Sequence, residues 1–193
     1  VVKGVIVKLI YLVIDGGSDG LNGPTSFEVA VTPGLDYLAR KGVGGLMYTI
    51  GRGIAPESDA AVLSLLGYDP HKYYTGRGPL EALGAGIKIR EGFEVAFRAN
   101  FATINSETLE LIDRRCGRTL KSNEAKELAK SLDNMDLSKY NGYARVTATI
   151  GHRAVVIIGS KSLKLSGDVS NTDPAYRKKG VISVSYTHLR AHE

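Results

Sequence analysis

The run VIVKLIYLVIDGGSDG, residues 5–20, decides the reading of the fold. Val5 to Ile14 is almost continuously apolar and rich in Val and Ile, the pattern of a parallel strand buried on both faces. It is too short to span a bilayer, it is interrupted by Lys8, and it meets Asp15 without a small-residue cleavage site. Those features predict a strand and argue against a membrane anchor or a signal peptide. After Asp15 the glycines of Gly16-Gly17-Ser18-Asp19-Gly20 break the strand and form a flexible loop.

Downstream, Thr32-Pro33 predicts a helix start, Leu35, Leu38 and Ala39 form its apolar stripe, and Gly42 stops it. Val43 to Ile50 reads as a second strand. A strand, helix, strand order favours a parallel sheet with a right-handed crossover, so the first domain is expected to be α/β. Val62, Leu63, Leu65 and Leu66 mark a further helix that Gly67 ends, with Ser58 at its N-terminal edge. Tyr68 to Gly86 is rich in Gly and Pro and reads as a connection, which puts the domain boundary near Ala85.

Beyond it, Val95, Phe97, Ala99 and Phe101 alternate with Ala96, Arg98 and Asn100, so a strand there sends Arg98 and Asn100 to one face. Ala125, Leu128, Ala129 and Leu132 predict a helix. Tyr143 to Ile150 and Ala154 to Ile158 predict strands on either side of Gly151-His152-Arg153. This half is expected to be a smaller α+β or α/β layer. The expected organisation is therefore residues 1–85 as a core portion, 86–182 as a second domain, and 183–193 as a tail unlike either, resembling vector or adaptor sequence.

Composition narrows the class of function. Of 193 residues, 43% are hydrophobic and 23% charged, the balance of a folded globular chain. A single cysteine, Cys116, cannot form an internal disulfide, and a reducing cytoplasm is the default expectation. The net charge of +5 is uneven: residues 1–85 carry seven Lys and Arg against eight Asp and Glu, and residues 86–193 carry eighteen against twelve. The basic half has no long Lys/Arg run and no nucleic-acid-binding motif, so a localised site for small anions is expected, with no nucleic-acid or membrane partner.

Several residues have types and positions suited to chemistry. Asp15 stands at the carboxyl end of the first predicted strand, where open α/β sheets bind ligands, and its oxygens suit Mg2+ or Mn2+; it reads equally as a loop Asp holding backbone N–H groups. Ser58 at a helix start is either a nucleophile or an ordinary N-cap, and the cap is the commoner case. Asp113-Arg114-Arg115-Cys116-Gly117-Arg118 puts three guanidiniums within five residues of one another, an anion clamp or a solvated turn. Arg98 and Asn100, with His152 and Arg153, are further candidates for an anionic substrate. His188 and His192 have helical i, i+4 spacing but lie in the aberrant tail with no acidic partner between them.

Three stretches carry a family resemblance: VIDGGSDG at 13–20, GIAPESDAAVLSLLGYDPHKYYTGRGPLEALGAG at 53–86, and AFRANFAT with DRRCGR between 96 and 118. Together they resemble the archaeal-type cofactor-independent phosphoglycerate mutases, a branch of the alkaline phosphatase superfamily. GHR at 151–153 and VSNTDP at 169–174 extend the likeness, although Asn171 stands where the family usually has an acidic residue. The resemblance implies a partial alkaline-phosphatase-like parallel-sheet core carrying an inserted cap domain. It implies that Asp15 and Ser58 bind metal, that Ser58 carries the phosphoryl group, and that Arg98, Asn100, Asp113, Arg114, Arg115, Arg118, His152 and Arg153 serve phosphoglycerate.

Two divalent metal ions, Mn2+ or Mg2+, and no 2,3-bisphosphoglycerate are implied as cofactors. The implied reaction is the interconversion of 3- and 2-phosphoglycerate in cytoplasmic glycolysis and gluconeogenesis. The family's remaining Asp and His ligands belong to a later part of the core that this sequence does not contain, so the chain resembles the N-terminal portion. The alternatives are another phosphotransferase of the superfamily, such as a homoserine-kinase-like relative, or a non-catalytic anion-binding fragment.

Overall fold

A computed structural model describes residues 8–20, 22–133 and 135–169. Asn171, His188, His192 and the tail at 183–193 lie outside the described residues. The chain forms two compact units, Val1–Tyr74 and Thr75–Glu193.

In the first unit the regular elements are helices: α1 (Ser26–Val29), α2 (Pro33–Lys41), α3 (Ser58–Leu65) and α4 (Pro70–Tyr73). A reciprocal cap starts α1, where Thr25 Oγ1 accepts from the Glu28 N–H and Glu28 Oε2 accepts from the Thr25 N–H at 2.6 Å. Helix α2 begins at Pro33 and ends at Gly42, as Thr32-Pro33 and Gly42 predict. Gly67, at φ +88°, follows α3 in a conformation that glycine adopts without steric penalty.

Among the described residues, 8–14 and 43–50 have no ladder partner, and most of their apolar side chains face solvent, with Leu9 91% and Leu46 93% exposed. An apolar run becomes a buried strand only when neighbouring strands satisfy its backbone and helices cover both faces, and the described residues supply neither here. The strand pairings among the described residues are antiparallel and lie in the second unit.

The second unit is built on strands β1 (Glu94–Asn100), β4 (Gly142–Ala148) and β5 (Arg153–Ser160), in the order β1-β5-β4. A second small sheet pairs β2 (Thr103–Ile104) with β3 (Leu111–Asp113). Helix α5 (Arg77–Gly84) packs on β1 and β5, and α6 (Ser122–Leu132) packs on β4. The predicted connection at 68–86 thus contains two helices, α4 and α5, because Pro70 and Pro79 fall within their first turns, where proline is tolerated.

Two apolar clusters hold this unit. Ala82 of α5 joins Ala96, Val155 and Ile157, all buried. Ala129 of α6 joins Val146 and Ala154. Alternation along β5 sends Val155 and Ile157 toward the first cluster and Ala154 and Val156 toward the second, so the sheet has a helix on each face. Among the described residues no helix is long and apolar enough to cross a membrane.

Candidate functional site

The Gly-rich loop after Asp15 is held by its own side chains. Asp19 Oδ2 accepts from the Ser26 N–H at 2.5 Å, and that backbone contact holds the Asp19 carboxyl below its ordinary pKa. Gly17 lies against the Phe27 ring and Ile14, where a Cβ would come within 3.1 Å of both. Asp15 lies beside the start of α3.

Ser58 is the first residue of α3, and Glu57 occupies the N-cap. The N-cap reading of Ser58 is therefore corrected: its hydroxyl does not close a backbone turn. Instead Ser58 Oγ donates to the Asp15 carboxylate, 3.1 Å from Oδ2 and 3.2 Å from Oδ1, across 43 residues of sequence. Both side chains are exposed. Their hard oxygens suit Mg2+ or Mn2+. Among the described residues no group of three or more His, Cys, Asp or Glu side chains could hold a metal ion, and Asp15 with Ser58 brings together two side chains that carry oxygen donors.

In the second unit Arg114, Arg115 and Arg118 share one turn. Asp113 ends β3, and its Oδ1 accepts from the Arg115 N–H at 2.7 Å. The Arg118 N–H then donates to the Arg115 carbonyl at 2.8 Å. Cys116, Gly117 and Arg118 all have left-handed backbones, φ +47°, +61° and +58°. Two of the three carry a Cβ, a conformation that costs about 1 kcal/mol or more per residue. Asp113, Arg114, Arg115, Gly117 and Arg118 line an open concavity of about 280 Å³.

Arg98 and Asn100 share one face of β1, as the alternation predicts, and pair across the sheet with Val155 and Arg153. His152 lies in the β4–β5 turn, which is closed by the Thr149 N–H to the Arg153 carbonyl at 2.9 Å. Burial lowers the His152 pKa below the usual 6.5, and the guanidiniums of Arg153, Arg115, Arg118 and Arg98 lower it further. Asn100 Oδ1 is buried and has no hydrogen-bond partner among the described residues.

Sequence reasoning did not single out Glu81 or Thr149. Glu81 Oε1 accepts from Thr149 Oγ1 at 2.7 Å, and Glu81 Oε2 is 3.8 Å from Arg98 Nε. The available signal was Glu81 itself, an isolated acid on an amphipathic helix inside the 53–86 stretch.

Comparison with known proteins places these residues in context. A family model described as 2,3-bisphosphoglycerate-independent phosphoglycerate mutase matches residues 39–193. The protein of that name from Aeropyrum pernix is 51% identical over 180 residues, covering 93% of this chain and 42% of the relative. The Methanopyrus kandleri protein is 42% identical, covering 96% of this chain and 44% of the relative. A solved structure, the cofactor-independent phosphoglycerate mutase from Thermoplasma acidophilum, is 42% identical, with a TM-score of 0.47 over 66% of this chain and 32% of that one. The chain spans about two-fifths of the length of the curated relatives it matches. With a family match over most of its residues, the chain belongs to the 2,3-bisphosphoglycerate-independent phosphoglycerate mutases.

Proposed function

We propose that the chain contributes the phosphoryl-accepting serine and the anion-binding residues of a cytoplasmic mutase interconverting 3- and 2-phosphoglycerate in glycolysis and gluconeogenesis, without 2,3-bisphosphoglycerate. The observation that carries this reading is the contact of Ser58 Oγ with both oxygens of Asp15. Ser58 Oγ attacks phosphorus, the bond to the substrate's 3-oxygen breaks, and the serine proton passes to that oxygen. Return of the phosphoryl group to the 2-hydroxyl regenerates Ser58. Asp15 orients the hydroxyl by accepting its hydrogen bond. Divalent metal ions held by Asp15, Ser58 and further ligands would lower the cost of deprotonating the serine and offset charge on the phosphoryl group.

Arg98, Arg114, Arg115, Arg118 and Arg153 offer guanidiniums for phosphate and carboxylate oxygens. Asn100 Oδ1 and the Asp113 carboxylate are acceptors suited to glycerate hydroxyls. A neutral His152 can hydrogen-bond an oxyanion, and its lowered pKa supports that state. The test is turnover of 3-phosphoglycerate by the full-length protein with Mn2+, followed by mass spectrometry of trapped intermediate. Phosphate on Ser58 is expected; phosphate on another residue, or full turnover by Ser58→Ala, would overturn the assignment.

A further inference from the structure

The carboxylate of Glu81 joins three parts of the second unit. It is carried by α5, which lies so close to β1 that a Cβ on Gly78 would collide with the Ala96 carbonyl. Ala82, the next residue, is fully buried. The base of the Glu81 side chain is therefore fixed by packing. One carboxylate oxygen accepts from Thr149 Oγ1 at 2.7 Å, and the other faces Arg98 Nε at 3.8 Å. Thr149 in turn anchors the turn that carries His152 and Arg153, through its N–H to the Arg153 carbonyl. The Glu81 and Arg98 side chains are 18% and 21% exposed, so water screens their attraction less than at an open surface.

Arg98 is one of four guanidiniums whose field reaches His152, and it is the one on the central part of a strand, away from the Asp113–Arg118 turn. A long side chain beside other cations swings away from them unless something holds it. A tethered carboxylate at its Nε edge restricts that swing and offsets part of the mutual repulsion. We propose that Glu81 and Thr149 are positioning residues: Thr149 holds Glu81, and Glu81 holds Arg98 within the basic cluster in an orientation that binds a phosphate or carboxylate group. This rests on the reading of Arg98 as an anion-binding residue.

The test is calorimetric titration of inorganic phosphate into the purified full chain and its variants, with circular dichroism on each. Glu81→Gln keeps an acceptor for Thr149 and removes the charge beside Arg98; about a three- to tenfold loss of phosphate affinity is expected, the range of a single lost polar interaction. The same substitution in an Arg98→Ala background should cause no further loss. Thr149→Val should weaken binding in the same direction, and Thr149→Ser, which keeps the hydroxyl, should restore it. Should Glu81→Gln fail to fold, the Thr149 pair carries the decision. Wild-type affinity in Glu81→Gln or Thr149→Val, or an equal loss with and without Arg98, would overturn the positioning role. Wild-type affinity in Arg98→Ala would overturn the anion-site reading itself, and the positioning role with it.

Discussion

Ser58 stands one position inside α3, so removing its hydroxyl removes no helix cap and costs the fold little. On the role proposed for Ser58, Ser58→Ala in the full-length protein is expected to abolish mutase turnover with an unchanged circular dichroism spectrum, the loss falling in kcat. His152 provides a second prediction at this scale. Its folded pKa lies below 6.5, so as pH falls the unfolded chain takes up a proton before the folded chain does. Stability linked to His152 is fully present above the ordinary histidine pKa and is lost as pH drops toward the lowered folded value. The denaturant midpoint should therefore fall between about pH 7.5 and about pH 5.5, and fall less in His152→Gln. Bound phosphate, by offsetting the four guanidiniums, should raise the His152 pKa in an NMR titration.

At the level of elements, the close contact of α5 with β1 makes Gly78 the most sensitive small residue described. Its side of α5 has no room for a methyl group against the Ala96 carbonyl, so Gly78→Ala must push the helix off the sheet. A loss of roughly 1–3 kcal/mol is expected from such overpacking, read as a lowered denaturant midpoint. Gly84 in the same helix meets nothing within 4 Å, and Gly84→Ala is the control expected to leave stability nearly unchanged or slightly raised. On the opposite side of this cluster Ile157 is 1% exposed, and Ile157→Ala should cost about 2–5 kcal/mol through lost burial and the cavity left behind.

For the molecule as a whole, the exposed apolar side chains of 8–14 and 43–50 bear on association. Leu9, Ile10, Leu12, Val43 and Leu46 are all exposed, and unpaired apolar backbone of this kind recruits other chains. The 20.7 kDa chain is expected to elute as larger species at micromolar concentration, and Leu9→Lys with Leu46→Lys should shift it toward monomer. Light scattering alongside size exclusion reads the outcome.

The sequence by itself determined the elements whose partners are close along the chain, and the family. Helix α2 follows from Thr32-Pro33 and Gly42, while the β4–β5 hairpin follows from two alternating runs around Gly151-His152-Arg153, because local caps and turns specify them. The motif at 53–86 carried the family resemblance without any geometry. At 8–14 and 43–50 an apolar run states a need for burial but does not specify the neighbours that satisfy it. Only the tertiary structure decided that Ser58 meets Asp15 across 43 residues, that α5 packs on β1, and that Glu81 reaches both Thr149 and Arg98. Such contacts depend on how the chain closes its long loops, and neither composition nor local spacing encodes which distant side chains that closure brings within a few ångströms.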